Sequence, residues 1–83
     1  MQPQHYYVYL LTSLTDPDRR YTGCTTDLKT RLQSHNNGQS PHSAKYRPWY
    51  IETAISFSCP QKAHAFERYL KTGSGRAFAR RHF

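Results

Sequence analysis

The sequence predicts an α+β fold: a small, mostly antiparallel three-stranded sheet flanked by helices, in the order β-β-α-β-α-α. Three observations carry this. Tyr6 to Leu11 is a run of aromatic and branched apolar residues, and Trp49 to Phe57 alternates apolar with polar, the patterns of strands. Two later stretches place leucines, alanine and phenylalanine at helical spacing behind capping residues. The chain has 83 residues, enough for one domain, 1–83, with a small core.

Each element follows from local chemistry. Almost every position of Tyr6–Leu11 is apolar, so this first strand is expected at the centre of the sheet with both faces covered. Asp16-Pro17-Asp18 signals a turn, because proline presets one dihedral and aspartate bonds nearby amides. A second strand, about Arg19 to Cys24, returns as a hairpin. Thr25 or Thr26 is placed to cap the next helix, with Asp27 at the positive end of its dipole. In that helix Leu28 and Leu32 form the inward stripe. Arg31 and His35, four apart, lie on its border and are expected to be half-buried. Asn36-Asn37-Gly38 ends the helix with residues that tolerate positive φ. Gln39 to Pro48 is expected to be a polar loop. In the third strand, Trp49, Ile51, Thr53, Ile55 and Phe57 are expected to share one face.

Ser58 and Gln61 stand at capping-box spacing before a helix with Pro60 in its first turn. Its inward stripe is Ala63, Phe66 and Leu70, with Glu67 on the stripe's edge, and Gly73 is its expected stop. Ser74 is placed to cap a last helix, Gly75 to about His82, that turns Phe78 inward and Arg76, Arg80 and Arg81 outward.

Twelve Lys+Arg against five Asp+Glu give a net charge of +7, which favours a polyanionic partner, nucleic acid above all. A membrane is the rival partner, but no amphipathic helical stretch is strongly apolar on one side and basic on the other. Phosphate contacts are expected from Lys29, Lys45, Arg47, Arg68, Lys71, Arg76, Arg80 and Arg81. Such contacts carry little sequence information, and any one of these residues serves equally as solubility charge. Cys24 and Cys59 show neither metal-ligand spacing nor a disulfide framework. With no signal-like segment and no apolar run long enough to span a bilayer, a reducing cytoplasm is the expected location. Cys24 is expected to be a small core filler, and His42, His64 and His82 to be surface residues.

Tyr7-Val8-Tyr9 and Tyr21-Thr22-Gly23 are two tyrosine motifs about a dozen residues apart, followed in order by Arg31, His35 and Glu67. Either tripeptide alone means nothing, but the ordered set resembles the GIY-YIG nucleases over nearly the whole chain, especially their short stand-alone bacterial members. There are departures from the family pattern. Tyr7 replaces the first glycine, and Thr22 the usual aliphatic residue. Cys24 stands where some members carry lysine, and the asparagine that some members use near the C-terminus has no counterpart.

The resemblance implies hydrolysis of a phosphodiester bond in DNA, with RNA left open, using Mg2+ or Mn2+. Glu67 would be the metal ligand, Tyr21 the general base, Tyr9 its hydrogen-bonding neighbour and Arg31 the phosphate partner; His35 would steady Tyr21 or donate to phosphate. These types suit the reaction. Magnesium is commonly held by one carboxylate and substrate phosphate, and a planar, always-charged guanidinium matches phosphate. A phenol ionises only near pH 10 and needs cations beside it to act as a base. Taken without the resemblance, Glu67 pairs equally well with Lys71 on its own helix, and each tyrosine is core packing. The expected function is a structure-selective DNA endonuclease. The alternatives are a nucleic-acid-binding module that cuts little, or a nuclease subunit that needs a protein partner.

Overall fold

The computed structural model describes residues 4–83, so residues 1–3 of the expected domain lie outside the described residues. The elements are β1 (Tyr6–Ser13), β2 (Arg20–Thr25), α1 (Leu28–Asn36), α2 (Pro41–Ala44), β3 (Trp49–Phe57), α3 (Pro60–Leu70) and α4 (Gly73–His82). The predicted order holds, with one addition. The polar loop contains the single turn α2, begun by Pro41, whose ring presets the first helical dihedral.

The sheet is antiparallel in the order β2-β1-β3, so the apolar first strand is central, as its composition predicts. The hairpin between β1 and β2 turns at Asp16, which accepts the Arg19 amide at its carbonyl and the Asp18 amide at its carboxylate. Residues paired across antiparallel strands share a face. Val8 and Leu10 pack with Ala63, Leu70 and Ala79 on the α3/α4 side, joined by Phe66 and Phe78. Tyr9 and Leu11 pack with Trp49 on the α1 side, joined by Tyr21, Leu28 and Leu32. Each leucine so buried contributes roughly 1.5–3 kcal/mol.

The third strand departs from the expected single face. Leu10 pairs with Thr53 but Leu11 pairs with Ile51, leaving Glu52 as the extra residue of a β-bulge. The bulge exchanges the faces. Trp49 and Ile51 join Tyr9 and Leu11, while Phe57 joins Val8 and Leu10. Glu52 is held at this kink by Thr12 Oγ1, which donates at 2.8 Å, and by the Arg20 guanidinium.

Three caps also differ from expectation by a residue or two. Asp27 itself is the N-cap of α1, accepting from the Thr30 amide, and Thr25 Oγ1 accepts from the Asp27 amide just before it. The N-cap of α3 is Cys59, with Pro60 at the first helical position; Ser58 makes no cap. Thr72, not Ser74, caps α4 by accepting from the Gly75 amide, so Gly73 opens α4 rather than closing α3. In each case the cap is the residue in extended backbone next to the first turn; Asp27 and Thr72 reach the free amides there through a side-chain oxygen, whereas Cys59 makes no side-chain cap bond. Gly38, at φ 76°, follows the end of α1 in the left-handed conformation expected of it.

Candidate active site

The site is built where β1 and β2 run side by side under α1. Tyr9 pairs with Gly23 across the hairpin, and the Tyr9 phenol lies directly over that glycine. A Cβ at position 23 would collide with the phenol's oxygen and ring. The glycine of the second tyrosine motif is therefore the floor on which the tyrosine of the first motif lies.

Four side chains meet above this floor. Arg31 Nε donates to the Tyr9 hydroxyl at 3.3 Å, and His35 Nε2 lies 3.1 Å from the same oxygen. The Tyr21 ring stacks beside Tyr9 with centroids 6.4 Å apart and rests against His35 at 4.6 Å. Behind the imidazole, Nδ1 lies 2.7 Å from Ser43 Oγ, which is 3.4 Å from the Ser40 carbonyl. One arrangement pairs every proton. The guanidinium can only donate, so Tyr9 accepts from it and gives its own proton to Nε2; Nδ1–H donates to Ser43, and Ser43 to Ser40.

His35 is fully buried rather than half-buried, and Arg31 is more exposed than expected. The physical reason is α2. Its single turn folds over the end of α1, brings Ser43 against the inner imidazole nitrogen, and is locked by Trp49 Nε1 donating to the Ser43 carbonyl at 2.8 Å. Arg31, one turn earlier, has no such cover. Sealed in this way, His35 has no access to a phosphate, and its hydrogen bond steadies Tyr9 rather than Tyr21. Ser43 was missed in the sequence, where the Ser40-Pro41 start of a helical turn was the available signal.

The electrostatics follow from burial. Burial pushes the Tyr9 phenol up, against the pull of Arg31, with the charges of Tyr21 and Glu67 adding to the rise. The hydrogen bond to Tyr9 holds Arg31 above its already high range. Burial, and then the Arg31 charge, push His35 below its ordinary value. Tyr9 is therefore protonated and His35 neutral at physiological pH, which is the protonation the hydrogen-bond chain requires.

Glu67 approaches from α3, close enough for its charge to act on both Tyr9 and Cys24. Its carboxylate is 19% exposed and accepts from Lys71 Nζ at 3.0 Å, with His64 Nδ1 at 3.7 Å. The expected helix pair with Lys71 is thus real and coexists with the action of the carboxylate's charge on Tyr9. A single carboxylate held on a helix and still partly reached by solvent fits a hard divalent cation that keeps most of its waters. His64 is exposed, as expected of a surface residue, but it has a partner one turn away. Cys24 is half-buried against the core, and its thiol is pushed up by burial and by the charge of Glu67.

Beside the site a groove of 530 Å3 runs between the β2 edge and α4, lined in part by Arg19, Arg20, Tyr21, Lys71, Arg76 and Arg80. Three of the predicted phosphate-contacting residues, Lys71, Arg76 and Arg80, are gathered here. Arg19 and Arg20, which sequence reasoning passed over as strand residues, join them. Arg20 is tied to Glu52 and the Phe83 carbonyl, whereas no ion pair among the described residues engages Arg76 or Arg80. Lys29, Lys45, Arg47, Arg68 and Arg81 are exposed outside this groove.

No helix is long and apolar enough to cross a membrane among the described residues. No curated protein matches the chain in sequence. A family model does, that of the GIY-YIG catalytic domain, over residues 5–81, a span that includes both tyrosine motifs, Arg31, His35 and Glu67. The chain therefore belongs to the GIY-YIG catalytic domain family, a family of endonucleases that hydrolyse phosphodiester bonds.

Proposed function

We propose that the protein is a divalent-metal-dependent DNA endonuclease that selects its substrate by structure rather than by base sequence. The observation that carries this reading is the convergence of Tyr9, Tyr21, Arg31 and His35 over Gly23, with the Glu67 carboxylate close enough to act on Tyr9. Arg31, tied by Nε to Tyr9 and drawn also to Tyr21, is exposed, and its guanidinium can hold the scissile phosphate and neutralise charge as phosphorus becomes five-coordinate. Tyr9 spends its proton on His35 and is fixed, which makes it a positioning group rather than a base. Tyr21 interacts with the Arg31 guanidinium and, unlike Tyr9, does not give its proton to His35. As a phenolate beside the guanidinium it accepts the proton of the attacking water, while the opposite phosphorus–oxygen bond breaks. Glu67 would hold the divalent ion, Mg2+ or Mn2+, which when bound supplies Lewis-acid relief of phosphate charge.

The groove supports the substrate reading. Its polar lining is mostly cationic, with Asp18 the one acidic side chain and no amide side chain, a set suited to phosphates more than to base edges. Branched and single-stranded DNA, incubated with the protein and Mg2+ or Mn2+, are expected to be cut. Glu67→Gln and Tyr21→Phe should each lower the rate by about 10²-fold or more with unchanged melting temperature. Cleavage that survives both substitutions would overturn the assignment. Salt-sensitive DNA binding with no cleavage in any divalent metal would make this chain a binding module instead.

A further inference from the structure

We infer that Cys24 and His64 join Glu67 in a three-donor cation site, so that this chain binds thiophilic transition metals such as Zn2+ and Co2+ in preference to Mg2+. The inference rests on Glu67 being the metal residue of the proposed reaction, and it adds two ligands that neither the sequence motifs nor the family match assigns.

The geometry is specific. Cys24 Sγ, a His64 ring nitrogen and a Glu67 carboxylate oxygen all lie within 4.8 Å of one another. Donors around a tetrahedral zinc ion stand about 3.5 Å apart, given metal–ligand lengths of about 2.0–2.3 Å. The three groups therefore need to close by about 1 Å. His64 is 54% exposed and has room to swing inward. The backbone supports the cluster from two elements. His64 and Glu67 are one turn apart on the same face of α3, and Cys24 sits near the end of β2, against which α3 packs. Cys24 pairs with Val8 across the hairpin and faces the α3 side of the sheet, so its sulfur points at the helix rather than to open water. Lys71, 53% exposed, holds the carboxylate from the solvent side and can release it without disturbing the core.

The donor set decides the preference. Magnesium takes oxygen ligands and gains little from thiolate or imidazole. Sulfur and nitrogen donors favour Zn2+, Co2+ and other borderline metals, whose binding removes the thiol proton to solvent. Three protein donors also leave a position open for water or a phosphate oxygen, as catalytic zinc sites do.

The test is a titration of the full chain with Co2+, followed by absorbance. Wild type is expected to show a thiolate-to-cobalt band in the near ultraviolet and visible transitions of the intensity that marks a low-coordinate ion. Zn2+ in stoichiometric amount should displace it, and millimolar Mg2+ should not. Cys24→Ser should abolish the near-ultraviolet band, while Cys59→Ser should leave it intact. His64→Ala, at an exposed position that leaves the fold untouched, should weaken Co2+ binding at least tenfold. Absence of the band in wild type, or a band lost in Cys59→Ser instead, overturns the inference. So does equal Co2+ affinity in wild type and His64→Ala. None of these readouts needs cleavage, so a chain that binds Co2+ through Cys24 and cuts nothing would overturn only the nuclease reading. A chain that cuts with Mg2+ and shows no thiolate band would overturn only this one.

Discussion

Val8 and Leu10 leave β1 on one side and Tyr9 and Leu11 on the other, and the two layers they build are filled differently. On the α3/α4 side the neighbours are Ala63, Leu70, Ala79, Phe66 and Phe78, with phenylalanine rings meeting edge to face at 6.3 Å. Nothing there needs a hydrogen bond. On the α1 side the layer combines Leu11 and Trp49 with Tyr9, His35 and Ser43, all almost fully buried, and every buried side-chain polar atom among the described residues has a partner. The contrast shows how a chain this small keeps its buried hydrogen-bond chain apart from most of its apolar packing. The apolar layer tolerates changes of shape at a cost in free energy. The polar layer holds a directed line of donors and acceptors, in which one missing partner leaves a buried group unpaired.

Substitutions that strike one layer at a time test this division. The largest effect on activity is expected from Gly23→Ala, which drives a methyl group into the Tyr9 phenol. Cleavage should fall by about 10²-fold or more, since displacement of about 1 Å in a site costs that much, while overpacking lowers stability by only about 1–3 kcal/mol. On the other layer Phe78→Ala, at a core position outside the groove, should cost about 3–5 kcal/mol in denaturant unfolding, yet the fraction that remains folded should cut at close to the wild-type rate. If Phe78→Ala lowers the rate of folded protein as severely as Gly23→Ala does, the two layers are not separable.

Ser43→Ala should fall between these. It leaves the His35 Nδ1–H buried without an acceptor, at a cost of about 1–3 kcal/mol, and frees the imidazole to turn away from Tyr9, with a loss of activity about tenfold. Ser43→Thr, which restores the hydroxyl, should recover most of both.

The smallest effect is a pH dependence that belongs to the polar layer alone. The folded-state pKa of His35 is depressed below its ordinary value of 6.5, so below that pH the unfolded chain binds a proton that the folded chain refuses. Stability is therefore complete above about pH 6.5 and declines as pH falls through the window beneath it. The Asp27 cap, whose carboxyl is held below its ordinary 3.8 by the Thr30 amide and hydroxyl, adds a separate decline only at much lower pH. Urea midpoints measured from pH 8 to pH 5 check this: His35→Gln should remove most of the slope between pH 6.5 and 5. An unchanged slope would assign it to groups outside this layer.

Much of the site was legible in the order of residues, because its parts are local. Tyr9 and Tyr21 stand on adjacent strands joined by a short turn, and Arg31 and His35 are one helical turn apart, so spacing alone brings them near one another. Glu67 was legible as the inward-edge carboxylate of an amphipathic helix. Ser43 and Arg19 were not. Ser43 acts through His35, on a different element, and Arg19 through the groove it shares with Arg76 and Arg80, and neither stands out from an ordinary polar residue until α2 folds over α1 or the groove forms.

The sequence by itself determined the succession of strands and helices, the central position of β1 and the inward stripes of α1, α3 and α4. These depend on dihedral preference and on burial with a fixed period, which a few neighbouring residues express. Only the tertiary structure decided the face exchange at Glu52, the sealing of His35 and the meeting of Cys24 and His64 with Glu67. A bulge inverts the alternation without changing its pattern, and the depth of a side chain depends on whatever the distant chain lays over it. Those outcomes arise from packing between elements, where the energy of a contact is shared by residues that carry no local mark of it.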